Sequence, residues 1–181
     1  MNMREIKVEE LNINPIPLFR DQWGALTAGN RRNGYNAMAI AWGSIGTLWE
    51  RGSRSKMVPV CNVYVRPSRF TYPKMIENEL FTVSFMDQTH RKALAYIGAK
   101  SGRDDPDKIK SSGLQLVYDG DAAYMKDSDI VLICRKIYNQ QLGAEHFIDK
   151  NLIDYNYHGE TDNIHEMFVG EIIRVLVKEN R

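Results

Sequence analysis

The sequence has few cysteines and almost no net charge, and both shortages exclude classes of protein. Cys61 and Cys134 lie far apart in the sequence and form no Cys-x-x-Cys pair. This excludes a secreted fold stapled by disulfides and favours a reducing, cytoplasmic compartment. The 24 basic and 23 acidic side chains leave a formal charge of +1. A dedicated nucleic-acid binder would carry a basic excess to neutralise phosphates, and none is present.

Long apolar runs, a leader sequence and metal-ligand spacings are also missing. Residues 35–49 are uncharged but contain asparagine, serine and glycine, and they fall short of the roughly 20 apolar residues that cross a bilayer. Charges begin at the fourth residue, so we expect no signal peptide and a soluble protein. The four histidines have no ligand spacing, and neither cysteine has a nearby partner in the sequence. We therefore expect no metal site.

The length and the apolar content of the chain are those of one soluble domain. The 181 residues, 43% of them hydrophobic, suffice for one packed core, so we expect a single domain over residues 1–181. Short apolar blocks bounded by Gly, Asn, Asp and Pro predict strands. Seven are predicted, over 23–28, 36–42, 58–65, 80–85, 114–117, 130–138 and 166–177.

Turns and a few helices connect these strands. Asn33-Gly34 predicts a tight hairpin between the first two strands. Thr71 and Thr89 are the expected N-caps of two helices, the second of which ends at Gly98. Residues 50–54 predict a charged, solvated loop, and residues 142–164 a flap or a partner-contacting arm. The pattern predicts a mainly β fold, a barrel with helical elaborations.

The block with the clearest chemistry follows the strand 58–65. Two guanidinium groups and two hydroxyls, those of Arg66, Ser68, Arg69 and Thr71, fall within six positions at an expected helix start. Arginine forks, hydroxyls and helix N–H groups are the donors that a phosphate dianion prefers. A surface loop whose arginines pair with carboxylates is equally compatible with this spacing.

Two further blocks carry weaker signals. Lys100, Ser101 and Arg103 surround a glycine that permits close backbone approach to an anion or a sugar, although ordinary helix-exit chemistry explains them as well. The strand containing Asn36, Ala37, Met38, Trp42 and Gly43 interleaves small and large residues. Such a strand could lie along a flat aromatic ligand, or it could simply be core.

Taken together, the three blocks resemble the flavin reductase-like proteins with an FMN-binding split barrel, closest to the flavoredoxin-like branch. The resemblance spans about residues 17–178. It rests on the order and spacing of short motifs: Leu-Thr-Ala-Gly at 26–29, Asn-Ala-Met at 36–38, Trp-Gly-Ser at 42–44, Tyr-Val-Arg-Pro-Ser-Arg-Phe-Thr at 64–71, Phe-Thr-Val-Ser-Phe at 81–85, Ser-Gly-Arg-Asp at 101–104, Cys-Arg-Lys at 134–136 and Phe-Val-Gly-Glu-Ile at 168–172. The insert at 51–56 is longer and more charged than this family leads us to expect.

The resemblance implies a mainly β fold with helical elaborations, an FMN-binding split β-barrel, and a homodimer that binds FMN non-covalently near the subunit interface. It implies that Arg66, Ser68, Arg69 and Thr71 hold the phosphate, and that Lys100, Ser101 and Arg103 assist along the phosphate or ribityl chain. It further implies that the flavin ring is lined by Asn36, Ala37, Met38, Trp42 and Gly43, with Thr27 near the ring edge. No side chain is expected to act as a catalytic acid, base or nucleophile.

The implied function is electron transfer from NAD(P)H through bound FMN to an acceptor that the sequence does not identify. No Gly-x-Gly-x-x-Gly motif follows a predicted strand, so the nicotinamide would lie over the exposed flavin face transiently. Two alternatives stay open at this point. One is a flavoredoxin-like electron carrier with no small-molecule substrate of its own, and the other is a barrel that binds RNA or single-stranded DNA.

Overall fold

The computed structural model describes residues 2–52 and 57–179, with more of them in β-strands than in helices. The strands are β1 (Met3–Ile6), β2 (Gly24–Asn30), β3 (Gly34–Ile40), β4 (Gly43–Glu50), β5 (Met57–Val65), β6 (Leu80–Phe85), β7 (Leu116–Asp119), β8 (Ala122–Met125), β9 (Ile130–Gln141) and β10 (Glu166–Lys178). The helices are α1 (Pro15–Pro17), α2 (Thr71–Glu77), α3 (Arg91–Ala99), α4 (Lys108–Ser111) and α5 (Asn151–Tyr157), and a π-helical turn over Leu18–Gln22 extends α1.

Eight strands form one antiparallel sheet in the order β3-β2-β6-β9-β10-β5-β4, with β1 paired to the far end of β10. The remaining hairpin, β7-β8, is a separate two-stranded sheet. β3 and β4 are the two ends of the hydrogen-bonded order, yet only Ala41 and Trp42 connect them in the chain. The sheet must therefore curl until its edges meet without closing, and the predicted mainly β barrel architecture is confirmed.

The main core fills the inside of this curled sheet. Leu26, Phe81, Phe85 and Phe168 are buried there, each at most 2% exposed. Gly170 in β10 leaves room for them, since a Cβ at that position would lie 2.4 Å from Cζ of Phe81. A β-bulge in the β9-β10 pairing immediately precedes this glycine, so the longest strand pair bends where the core needs space.

A second apolar cluster lies on the other face of β2 and β3, under helix α3. Ala25 and Ala37 pack there against Leu94 and Ile97 of the helix. The small side chains of β3 allow α3 to approach closely, because a Cβ at Gly98 would lie 3.1 Å from Cβ of Ala39. The small residues of β3 therefore admit α3 as a close neighbour.

The hairpin between β2 and β3 is confirmed as well. Asn30 pairs with Gly34 across the turn, and Gly34 has a φ of +72°, which glycine adopts without strain. Oδ1 of Asn30 accepts hydrogen bonds from the backbone N–H groups of Arg32 and Asn33 at 2.8 and 2.9 Å. The predicted turn residues therefore satisfy the turn's own donors.

Other expectations about local structure are wrong. Helix α2 begins at Thr71, but the threonine hydroxyl does not cap it, and before α3 it is the carboxylate of Asp87, not Thr89, that caps the preceding turn. Strand β4 was not expected; most of its side chains are exposed, so it lacks the alternating pattern of a half-buried strand. The charged loop predicted over residues 50–54 lies partly outside the described residues, because residues 53–56 are not among them.

The two cysteines, distant in sequence, are neighbours in the fold. Cys61 of β5 and Cys134 of β9 flank the same segment of β10, and both are free and fully buried. Burial, together with the adjacent Cys61, raises the pKa of the Cys134 thiol well above its usual value. No helix in the described part of the chain is long and apolar enough to cross a membrane.

Candidate functional site

A small polar cavity of about 100 Å³ lies between the loop after β5 and the C-terminal end of α3. Six of the residues singled out from the sequence line it: Met38, Ser68, Arg69, Thr71, Lys100 and Ser101. Lys108 of α4 and Phe70 complete the polar and aromatic parts of the lining. The fold thus joins two blocks about thirty residues apart into one site rich in hydroxyls and cations.

The α2 side of this cavity is held by a buried hydrogen bond. Nδ2 of Asn36 donates to Oγ1 of Thr71 at 2.7 Å, and both side chains are at most 4% exposed. Gly102 packs directly on this pair, because a Cβ there would lie 2.5 Å from Oδ1 of Asn36 and 2.6 Å from the Phe70 ring. The Ser-Gly turn after α3 can therefore approach β3 only with glycine at this position.

Lys108 is a buried cation in the lining of the cavity. The residue is 2% exposed, and its Nζ donates to the carbonyls of Ile97 and Lys100 at 3.0 and 2.9 Å. Burial and the nearby Arg69 charge lower the pKa of the Lys108 amine to about 8. No carboxylate of the described residues forms an ion pair with this ammonium, although the nearby charge of Asp105 favours it.

Arg66 belongs to the same loop but turns away from the cavity, towards the segment that joins β9 to β10. We call residues 142–165 of this segment the arm. Nη2 of Arg66 donates to the carbonyl of Asn156 at 2.6 Å, and its guanidinium lies 4.9 Å from the centroid of the Tyr157 ring. The backbone N–H of Ser68 donates to Oδ1 of Asn163 at 3.2 Å. Two contacts therefore fasten the arm to the loop that borders the cavity.

The arm also places His165 against Trp42, in the short connection between β3 and β4. The two ring centroids are 4.4 Å apart, and Nδ1 of His165 is hydrogen-bonded to the hydroxyl of Tyr157 at 2.8 Å. Burial and the charges of Arg66 and Arg69 lower the pKa of His165 to about 4. The imidazole is therefore neutral at neutral pH. The indole of Trp42 remains 39% exposed, so part of this aromatic surface faces solvent.

The remaining predicted site residues lie outside the cavity lining. Arg103 is exposed, with its guanidinium 5.9 Å from the centroid of Phe70. Ala37 is buried under α3, and Gly43 makes room for Phe19, whose ring carbon would lie 2.3 Å from an added Cβ. Thr27 is 1% exposed, and its hydroxyl has no hydrogen-bond partner among the described residues. Ligand contacts for these residues stay predictions.

Sequence reasoning missed Lys108 and His165. Lys108 belongs to a short charged helix of ordinary surface composition, and only its position across from the end of α3 buries it. His165 lies just before β10, and only the fold brings it against Trp42. Neither had a sequence signal. Within the described residues no group of three or more His, Cys, Asp or Glu side chains could hold a metal ion.

Comparison with known proteins identifies the family. A model of the flavin reductase like domain matches residues 55–181, about seven-tenths of the chain. The chain belongs to the flavin reductase-like family. No curated protein sequence matches it.

Solved structures share the fold of this flavin reductase-like chain. An FMN-binding domain of a flavin reductases-like enzyme from Shewanella baltica is 15% identical, with a TM-score of 0.65, over 97% of this chain and 77% of that one. A flavoredoxin from Methanosarcina acetivorans is 22% identical, with a TM-score of 0.64, over 95% and 77%. Nitrilotriacetate monooxygenase component B from Bacillus cereus is 16% identical, with a TM-score of 0.65, over 99% and 83%.

Proposed function

We propose that this chain binds FMN non-covalently, with the flavin phosphate in the cavity between the β5-α2 loop and the end of α3, and transfers electrons from NAD(P)H to an acceptor. The observation that carries the proposal is that Arg69, Ser68, Thr71 and Ser101 line one cavity together with the buried Lys108. Membership of the flavin reductase-like family and the FMN-binding Shewanella baltica neighbour support the choice of ligand.

The residues present fit the phosphate of FMN. A buried Lys108 ammonium with no ion-pair partner among the described residues is costly, and an anion in the adjacent cavity would offset that cost. The guanidinium of Arg69 and the hydroxyls of Ser68 and Ser101 are donors of the kind that phosphate oxygens accept from. The bond from Asn36 orients the Thr71 hydroxyl, since that oxygen accepts from Nδ2 and keeps its own proton free to donate.

The flavin ring would supply the redox chemistry, and the protein would supply position and electrostatics. From the phosphate cavity, the ring would extend along β3 past Met38, which lines the cavity, towards Trp42. The neutral imidazole of His165 packs against the Trp42 indole. No acid, base or nucleophile among the side chains is required, because electrons and protons would pass between the nicotinamide or the acceptor and the flavin.

We further propose that the protein acts as a homodimer in the cytoplasm, with the flavin near the interface. Several large apolar side chains are exposed, among them Trp42 at 39% and Trp49 at 48%. Exposed aromatic surface of this kind is typical of protein interfaces. Sedimentation velocity with and without FMN tests the coupling of flavin binding to association, and a tight FMN complex that stays monomeric would contradict it.

The test of the proposed function is a flavin titration of the purified protein. We expect a yellow protein, or one that gains flavin absorbance and quenches FMN fluorescence stoichiometrically, and that is bleached by anaerobic NADH or NADPH. A protein that binds no FMN while binding a single-stranded oligonucleotide would refute the proposal in favour of the nucleic-acid barrel. FMN bound but not reduced by either nicotinamide would identify the electron carrier instead, as the flavoredoxin neighbour suggests.

A further inference from the structure

The feature with an unassigned role is the buried Lys108. Its side chain starts from a short surface helix, α4, and reaches the carbonyls that end α3. A protonated amine has three N–H donors, and two of them have these carbonyls as acceptors. No acceptor among the described residues takes the third, although Lys108 is one of the residues that line the polar cavity.

Charged groups reach Lys108 from two sides. The charge of Arg69, in the loop after β5, lowers the pKa of the Lys108 amine. The charge of Asp105, in the segment between α3 and α4, raises it. Asp105 does not form an ion pair with the lysine; its carboxylate accepts instead from the Tyr96 hydroxyl at 3.0 Å and from the backbone N–H of Asp107 at 3.1 Å. The positive charges of Arg69 and Lys108 repel one another, and no carboxylate of the described residues forms an ion pair with either of them.

We propose that Lys108 forms the floor of the phosphate site, selects a phosphate-bearing flavin over an unphosphorylated one, and takes up a proton as that ligand binds. The inference rests on the proposed function. A phosphate dianion placed between Arg69 and Lys108 would turn a repulsion into two attractions and supply the missing acceptor. Riboflavin, which lacks the phosphate, would leave both cations as they are.

The direction of the pH dependence follows from the ligand-free protein. Since the pKa of the Lys108 amine is about 8, the amine is mostly protonated at pH 7 and mostly neutral at pH 9. A phosphate monoester is dianionic at both values, because its second pKa is about 6. If only the ammonium binds the dianion well, FMN affinity falls about tenfold between pH 7 and pH 9. Riboflavin affinity supplies the reference for any titration of the flavin ring itself.

The experiment compares wild type, Lys108→Met and Lys110→Met, with FMN and riboflavin as ligands at pH 7 and pH 9. Lys110 is exposed on the same helix, so its variant controls for the loss of one positive charge. We expect Lys108→Met to lose tenfold or more in FMN affinity at pH 7, to keep its riboflavin affinity, and to show no fall in FMN affinity at pH 9. Calorimetry in two buffers of different ionisation enthalpy should show proton uptake by the wild type at pH 8.

Each alternative outcome is informative. If Lys108→Met weakens FMN and riboflavin equally, the lysine only braces the end of α3 and the inference is wrong. If that variant does not fold, the wild type alone decides: FMN affinity that stays constant from pH 7 to pH 9, with no proton uptake, overturns the inference while the proposed function stands. A wild type that binds neither flavin overturns the proposed function itself.

Discussion

Acidification should destabilise this protein through one residue, His165. The imidazole is packed on Trp42 and hydrogen-bonded to Tyr157, and its pKa in the folded chain is about 4, against an ordinary value of 6.5. Between these two values the unfolded chain binds a proton at this site that the folded chain does not. The free energy of unfolding therefore falls as the pH drops through 6.5 towards 4, and His165 contributes little pH dependence above about pH 7.5, where the imidazole is neutral in both states.

The size of the effect follows from the two pKa values. At pH 5 the unfolded imidazole is almost fully protonated and the folded one is mostly neutral, which gives a loss of about 2 kcal/mol relative to pH 7. Because His165 is only partly buried, solvent screening reduces this figure, and we expect about 1–2 kcal/mol. Protonation would also place a third positive charge beside Arg66 and Arg69, the two charges that lower the histidine pKa.

Urea unfolding at pH 7 and pH 5 measures this contribution. Other groups titrate over the same range, so the informative quantity is the difference in unfolding free energy between wild type and His165→Gln. We expect that difference to shrink by about 1–2 kcal/mol at pH 5. His146→Gln, which removes an exposed imidazole from the same arm, should leave the wild-type pH dependence intact. A wild-type advantage over His165→Gln that is equal at the two pH values would refute the reasoning.

Three further predictions follow from the geometry of the site and the core. Arg69→Met should weaken FMN binding by about 1.5–3 kcal/mol, because Arg69 lines the cavity. Arg66→Met should weaken FMN binding less, because the Arg66 guanidinium is held by the arm. Equal losses for the two variants in calorimetric titration would contradict this. Gly170→Ala should destabilise the fold by about 1–3 kcal/mol, because the added methyl group overpacks the core beside Phe81. Urea unfolding measures this, and an unchanged midpoint would show that the core repacks around the methyl group without loss of stability. Asn36→Ala should lower the stability by about 1–3 kcal/mol even without flavin, because it leaves the buried Thr71 hydroxyl without its hydrogen-bond donor. Thermal unfolding measures this, and an unchanged melting temperature would argue against it.

Several strands and the β2-β3 hairpin could be predicted because they depend on the backbone preferences and polarity of residues that are close together in the sequence. β6, over Leu80–Phe85, has the predicted bounds, and the Asn-Gly turn lies where its backbone preferences require it. The helix caps could not be predicted in this way. Threonine is an acceptable N-cap residue, but the Thr71 hydroxyl accepts a hydrogen bond from Asn36 of β3 instead of capping α2. β4 carried no usable signal, since a strand paired on one edge and exposed on much of its surface need not alternate.

What the sequence alone determined is the chemistry of the site: guanidinium and hydroxyl groups after one strand, and a Ser-Gly turn after a helix, with spacing typical of this family. Tertiary structure decided which of those groups share a cavity. It brought Arg69 and Ser101 into the lining of one cavity and turned Arg66 towards the arm. It also buried Lys108 and lowered the pKa of its amine to about 8. Desolvation and charge repulsion depend on distances between segments far apart in the chain, and no local pattern of residues records those distances.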